Sequence, residues 1–387
     1  MKISVSKIEE LLTRGVEEVV DKEHLKGKLL SGRVLRVKHG VDPTGPKIHI
    51  GRAAQFWKLR DFQKIGHKIV LIIGDFTAQI GDASDKQAMR QPLSEKKIKE
   101  NMKHYLEQIG KILDMKKVEV RYNSQWLKKL SAKDLLNLAM KFTAQQMIQR
   151  RNFKERWEQQ KPIGLHELDY PLLQGFDSVV VKADIELGGS DQLFNLQAGR
   201  DIQKAFNQPP QDIIALKMLF GPDGRKMSTS WGNVINIIDP PPEQFGKIMS
   251  IKDELILDYF ELATRVPLDE VKKLPPRDAK ARLAKEIVSA CHGEEAAIKA
   301  EQEFNRVFRD KNLPSDIPEV SVEEKEMNIL DLLTKVKLAP SKSEAKRLIE
   351  QGGVEISGEI QKDWQKIIKI KKGEIIRVGK RKFVKII

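Results

Sequence analysis

Apolar residues recur along this chain with two alternating periods, and that alternation predicts a fold class. Short apolar runs bounded by turn formers, at Val34–Val37, Ile69–Ile73, Val118–Arg121 and Asp184–Leu187, read as strands. Between them, helical spacing predicts helices over about His49–Ile65, Glu95–Ile112, Ala132–Arg150 and Asp169–Val181. Ser190 and Asp191 can cap a further helix that runs through Gln203, and a charged helix precedes the first strand. Strands that alternate with helices pair in parallel through right-handed crossovers. A ligand site then lies beyond the carboxyl ends of the strands.

Past Asn236 the pattern changes. Pro240, Pro241 and Pro242 punctuate the chain, and helical periodicity runs from Glu243 to Arg309 without a convincing strand. Asn312–Val320 carries two prolines and few large apolar residues, which reads as a linker. The last segment spaces Leu348, Ile349, Val354 and Ile356 to bury, and is the most basic part of the chain. The boundaries expected are 1–238 for a parallel-sheet α/β domain, 239–311 for a helical domain, 312–326 for a linker and 327–387 for a small α+β domain.

Length and charge narrow the function. A chain of 387 residues, 40% hydrophobic, supports more than one core, and a net charge of +14 attracts a polyanion: RNA, ATP or an anionic membrane. Charge alone leaves the three open. The longest apolar run is too short to span a bilayer, and the opening residues carry acids where a secretion signal needs an apolar core. A cytoplasmic chain without membrane attachment is expected. Cys291 is the only cysteine, so there is no internal disulfide and no cysteine-cluster metal site.

Two segments carry chemistry. Asp42-Pro43-Thr44-Gly45-Pro46-Lys47-Ile48-His49-Ile50-Gly51-Arg52 is a turn that delivers a histidine and a glycine to a helix start, where backbone amides and imidazole can approach phosphate. Gly221-Pro222-Asp223-Gly224-Arg225-Lys226-Met227-Ser228-Thr229-Ser230 sets one lysine and several hydroxyls among turn formers, as in a loop able to close over a triphosphate. Taken alone, the first is an ordinary turn and the second a solvated loop. The pair, separated by a nucleotide-binding fold, resembles the HIGH and KMSKS signatures of class I aminoacyl-tRNA synthetases.

That resemblance implies a Rossmann-like catalytic domain using ATP as substrate, with Mg²⁺ assisting. Catalysis is by positioning and charge stabilisation, without a protein nucleophile. Thr44, His49, Arg52 and Lys226 would surround the developing pyrophosphate charge. Asp42, Pro43, Gly51, Gly189, Asp191, Met227, Ser228, Thr229 and Ser230 would complete the nucleotide site with His49 and Lys226.

Tyr170, Gln174 and Asp177 fall three to four residues apart, so a helix places their polar tips on one face. The segment is similar to the amino-acid-binding helix of the tyrosine-specific, bacterial-type branch. By that resemblance Asp177 meets the phenol of L-tyrosine, Tyr170, Gln174 and Asp82 contact its α-amino group, and Gln192 lines the adenylate site. Two positions depart from the signatures: Arg52 replaces the second histidine and Thr229 the second lysine. Arg52 could take over a phosphate contact as a permanently charged fork, whereas Thr229 offers only a hydroxyl. Where one subgroup carries a second phenol-binding tyrosine, this chain has Lys38 or His39.

Pro340–Val354 resembles a small RNA-binding module, with Lys342, Lys346 and Arg347 at helical spacing on one side. The resemblance implies tRNA-Tyr as partner, contact of the helical domain with the anticodon, and a homodimer formed through an insertion in the catalytic domain. Three rivals stay open: a tryptophan-specific enzyme, a non-catalytic RNA binder with the same fold, and a nucleotidyltransferase acting on a small metabolite.

Overall fold

The computed structural model describes residues 4–83, 92–228, 231–309, 317–379 and 382–387, with the side chain of Arg151 excepted. The chain divides into two compact units, residues 1–304 and 305–387.

The first unit is built on a six-stranded sheet: β1 (Val16–Val20), β2 (Arg36–Val41), β3 (Lys68–Ile73), β4 (Val118–Tyr122), β5 (Ile185–Gly189) and β6 (Asp212–Leu216). Its order is β1-β6-β5-β2-β3-β4, parallel throughout except for β1, which runs antiparallel to β6 and closes that edge. The apolar run of β3 is buried on both faces, as expected of a central strand flanked by helices.

The first central strand is longer and later than its apolar run predicts. Val34 is 61% exposed. The strand continues instead through Lys38 and His39, two polar residues buried because partners on the neighbouring strand receive them. Two expected helices are each broken in two. Glu95–Met102 stops before His104 and Tyr105–Gly110 follows; Ala132–Ala139 ends before Thr143, which opens Ala144–Ile148 with a reciprocal cap from Gln146. The helix expected from Asp169 begins at Leu165, where the Glu167 carboxylate accepts from the Gly164 amide (2.8 Å). Ser190 and Asp191 do not cap: Ser190–Gln192 is a single 3₁₀ turn leading into Leu193–Ala205.

The helical stretch after Pro240 shares the core of the sheet. Phe245, Tyr259, Phe260, Leu283 and Ile287 belong to the same buried cluster as Phe56, Leu59 and Phe62. Cys291 is buried at the end of the helix Pro276–His292.

In the second unit, β9 (Val354–Ile356), β10 (Glu359–Gln361), β12 (Ile375–Val378) and β13 (Lys382–Ile386) join β7 (Glu319–Val320) in a sheet ordered β10-β9-β12-β13-β7. A two-stranded ribbon pairs β8 (Glu326–Asn328) with β11 (Ile367–Lys369). Part of the stretch read as a linker is therefore a sheet edge, because β7 pairs in parallel with β13; residues 312–316 lie outside the described residues. The helices Ile329–Lys335 and Lys342–Glu350 bury Leu332, Leu333, Ala345 and Ile349 against Val354, Ile376 and Val384. No helix among the described residues is long and apolar enough to cross a membrane.

Candidate active site

Strand order reverses at the β2–β5 boundary, and the site lies there. β3 and β4 continue the sheet on one side of β2, while β5 and β6 lie on the other. Each strand of the parallel set ends on a residue that lines one cleft or delivers such a residue next: Asp42, Gly74, Asn123, Gly189 and Lys217. The cleft has a volume of about 770 Å³. It gathers Asp42, Thr44, His49, Gly51, Arg52, Asp82, Tyr170, Gln174, Asp177, Gly189, Asp191, Gln192, Lys226, Met227 and Ser228. Pro43 is not in the lining; its carbonyl accepts from Asn101 Nδ2 (2.9 Å) and holds the turn from behind. Thr229 and Ser230 lie outside the described residues.

The histidine turn and the lysine loop are laced together by backbone. Ile50 N–H donates to the Ile235 carbonyl (2.8 Å) and Ile237 N–H to that of Ile48 (2.9 Å). His49 thus begins the helix Ile50–Lys64 directly beside the chain that leaves the loop. Space is tight at Gly51: a Cβ would stand 3.1 Å from His49 Nδ1 and 3.2 Å from Met227 Sδ, so a side chain there would press on both. Burial, reinforced by the cations Arg52 and Lys226, pushes the His49 pKa down to about 3. The imidazole is neutral at working pH.

Arg52 does more inside the turn than its position in the motif suggests. Its guanidinium donates to the Asp42 carbonyl (3.1 Å), Thr44 Oγ1 (2.8 Å) and the Tyr105 hydroxyl (3.0 Å). A planar fork meeting three oxygens stiffens the turn, which the imidazole of the usual signature could not do in the same way.

Lys226 Nζ pairs with Asp191 Oδ2 at 2.9 Å across the cleft, so the loop lysine meets a residue expected in the nucleotide site. The loop is braced by Asn233, whose Oδ1 accepts from Ser228 N–H (2.8 Å) and whose Nδ2 donates to Asp223 (2.9 Å) and the Lys226 carbonyl (3.0 Å). Its base is held by the helix Ile256–Ala263. Tyr259 donates its hydroxyl to the Phe220 carbonyl (2.7 Å), and Glu261 accepts from Lys217 Nζ (3.0 Å) and the Gly15 amide (3.0 Å).

The other end of the cleft is formed by the helix Leu165–Val181. Tyr170 donates to Asp42 Oδ2 (3.0 Å), and Thr77 Oγ1 donates to Asp42 Oδ1 (2.8 Å). Burial and then the Asp42 charge push the Tyr170 hydroxyl well above its ordinary pKa. Gln192 Nε2 donates to Asp82 (2.6 Å), and Arg150, lying over the rings of Phe153 and Phe194, stands 3.6 Å from the same carboxylate.

Asp177 is buried. Its carboxylate accepts from Trp126 Nε1 (2.7 Å) and Asn123 Nδ2 (3.3 Å), and burial raises its pKa to about 7 against the opposing pull of Lys38. Asn123, Trp126 and Asn233 escaped the sequence reading. The available signal was Asn123 and a tryptophan, a buried N–H donor, just past the carboxyl end of a predicted strand.

Residues 30–309 match the family model described as tRNA synthetases class I (W and Y). The histidine turn and lysine loop, closing on one cleft at the switch point of a parallel sheet, place the molecule among the class I aminoacyl-tRNA synthetases. Residues 310–386 match the model of the tyrosine–tRNA ligase SYY-like C-terminal domain. A tyrosine–tRNA ligase of Carboxydothermus hydrogenoformans is 48% identical, over 98% of this chain and 97% of its own length. One from Moorella thermoacetica is 45% identical, over 97% and 94%. The chain belongs to the tyrosine–tRNA ligases. The fold alone extends further: a C-terminally truncated mitochondrial tyrosyl-tRNA synthetase of Aspergillus nidulans superposes with a TM-score of 0.64 at 22% identity, covering 79% of this chain and 95% of that one.

Proposed function

We propose that this chain activates L-tyrosine with ATP, releasing pyrophosphate, and transfers the tyrosyl group from the adenylate to the 3′ end of tRNA-Tyr. The observation that carries the proposal is a single cleft with two chemically distinct ends. One end, at Asp177, is a buried acceptor able to read a phenol; the other presents His49 and Lys226, a neutral donor and a cation suited to phosphate. Tyr170, Gln174, Asp82 and Gln192 are assigned to the amino-acid end. Asp42, Thr44, Gly51, Gly189, Asp191, Met227 and Ser228 are assigned to the nucleotide end. The tyrosine carboxylate attacks the α-phosphorus, and these groups stabilise the pyrophosphate that departs. Arg52 acts by holding Thr44 and the Asp42 backbone in place.

Mg²⁺ is assigned to the triphosphate, whose oxygens suit a hard cation. Selectivity against phenylalanine follows from the cost of leaving a buried acceptor unpaired; tyrosine-specific synthetases are the general example of this effect, with a discrimination of about 10⁵ for the enzyme type. ATP–pyrophosphate exchange with each of the twenty amino acids tests the assignment. Tyrosine alone supports exchange, and His49→Ala and Asp177→Ala each abolish it; exchange with tryptophan, or with none, overturns it.

Three further assignments complete the reading. The second unit and the helical stretch are assigned to tRNA, with Lys342, Lys346 and Arg347 on the helix that Ser341 caps. Lys346 lies 4.1 Å from the centre of the Trp364 ring, a flat apolar and cationic surface suited to nucleic acid. A second copy of the chain is assigned to the stretch between β4 and β5, where Leu136, Met140, Trp157 and Leu165 are 62–80% exposed. The enzyme is placed in the cytoplasm, where ATP and tRNA are held.

A further inference from the structure

The helix Leu165–Val181 carries the residues assigned to both polar ends of tyrosine, so its height and rotation against the sheet set the pocket. A wholly buried ion pair fixes them. Lys38 on β2 and Glu186 on β5 are register partners, with side chains 0% and 1% exposed and Nζ 2.9 Å from Oε1. Lys38 Nζ also donates to Ser178 Oγ (2.6 Å) and to the Gln174 carbonyl (2.8 Å), so three protons meet three oxygens. Glu186 accepts from Gln174 Nε2 (3.1 Å), from Ser178 Oγ (3.1 Å) and from Gln211 Nε2.

Buried pairs of this kind give little net stability relative to apolar residues, so their value lies in what they hold. This one grips Gln174 by backbone and side chain and grips Ser178, the residue after Asp177. Lys38 itself is outside the cleft lining and acts only through others.

We propose that the Lys38–Glu186 pair is the specificity-determining positioning element of the phenol subsite: Lys38 locks Gln174 and Ser178 and sets a fixed positive charge beside the Asp177 carboxylate that accepts tyrosine's hydroxyl. The proposal rests on the reading that Asp177 receives the phenol. The groups facing Asp177 are Lys38 from β2, Glu186 from β5, Asn123 and Trp126 past β4, and Tyr170 from its own helix; Thr77 and Asp42 adjoin them through Asn123 and Tyr170. Among those that draw the carboxyl down against burial, Lys38 comes first, ahead of Trp126 and Asn123, and Glu186 pushes it up. An ionised carboxylate makes the stronger bond to the phenol and the costlier vacancy beside phenylalanine.

Removing either charge therefore moves Asp177 in opposite directions. A pair serving only the packing of the helix would damage both variants alike. The test is kcat/KM for tyrosine and for phenylalanine in pyrophosphate exchange, between about pH 6 and 9. It compares wild type, Lys38→Met, Glu186→Gln and the double variant, with melting temperatures alongside. The acid limb for tyrosine moves up in Lys38→Met and down in Glu186→Gln, and the double variant falls between them. The tyrosine-to-phenylalanine ratio at neutral pH drops about tenfold in Lys38→Met, the effect of one pKa unit. Limbs that stay in place, or move together with the melting temperature, overturn the proposal. If Lys38→Met does not fold, Glu186→Gln decides alone, an unmoved or upward limb being the overturning result. A wild type inactive with tyrosine, or an Asp177→Asn variant that still discriminates, overturns the underlying site assignment instead.

Discussion

Replacing Arg52 with alanine separates a scaffold from a phosphate ligand. The guanidinium donates to the Asp42 carbonyl, Thr44 Oγ1 and the Tyr105 hydroxyl, at 2.8–3.1 Å. A hydrogen bond to a charged group contributes about 1.5–3 kcal/mol, but three that share one partly exposed head are not additive. We take about 3 kcal/mol for the set, roughly a hundredfold in rate if the turn must be held in the transition state. Arg52→Ala is therefore expected to lower kcat for pyrophosphate exchange roughly a hundredfold, leaving KM for tyrosine unchanged. Arg52→Lys keeps the charge but loses the fork, and recovers only about one factor of ten. The assay is steady-state exchange with ATP and tyrosine varied separately. A kcat for Arg52→Ala within about twofold of wild type refutes the scaffold argument. Full recovery by Arg52→Lys refutes it equally, since a point charge would then suffice.

The kcat/KM for tyrosine rises with pH through about 7 and then levels, because free Asp177 must lose its proton to accept the phenol. With its folded pKa raised, the same group stabilises the free protein below its unfolded pKa and loses that contribution as pH climbs towards 7. His49, held down to about 3, is neutral throughout, so the limb survives in His49→Asn; its disappearance there would show that the imidazole titrates. Leu165→Asp combined with Met140→Asp leaves the fold intact and halves the mass seen in sedimentation, whereas a mass unchanged from wild type refutes a subunit contact at this stretch. Lys342→Ala, Lys346→Ala and Arg347→Ala together weaken tRNA binding without altering pyrophosphate exchange. They also flatten the dependence of log Kd on log salt by about 0.7–0.9 for each phosphate no longer neutralised, and an unchanged slope excludes these side chains from the phosphate-binding surface.

What the sequence disclosed and what it hid follow a physical divide. The histidine turn and lysine loop are legible because turn formers, a helix start and charges sit within a dozen residues of one another. The helix Leu165–Val181 is legible as a site element because Tyr170, Gln174 and Asp177 share one helical face. The groups that act through partners far away in the chain are not legible. Trp126 reaches Asp177 across 51 residues, Lys38 reaches Gln174 across 136, and Arg52 turns inward because Tyr105 awaits it. The same divide explains β2: an apolar run marks strands that bury apolar residues, and this strand buries Lys38 and His39 through partners on β5. Helix breaks at Lys103–His104 and Lys141–Phe142 were hidden for a related reason, since apolar spacing continues across them while the chain turns.

The clasp between the helix Ile256–Ala263 and the base of the lysine loop bears on how interchangeable the parts of this enzyme are. Tyr259 holds the Phe220 carbonyl, and Glu261 holds Lys217 and the Gly15 amide. A chimera that grafts the helical stretch of a relative onto this sheet therefore also replaces the anchor of the lysine loop. The helical stretch cannot be transplanted as a cassette cut at Pro240; the graft must carry residues 217–220 and their helix partners as one piece, or the lysine loop loses its anchor.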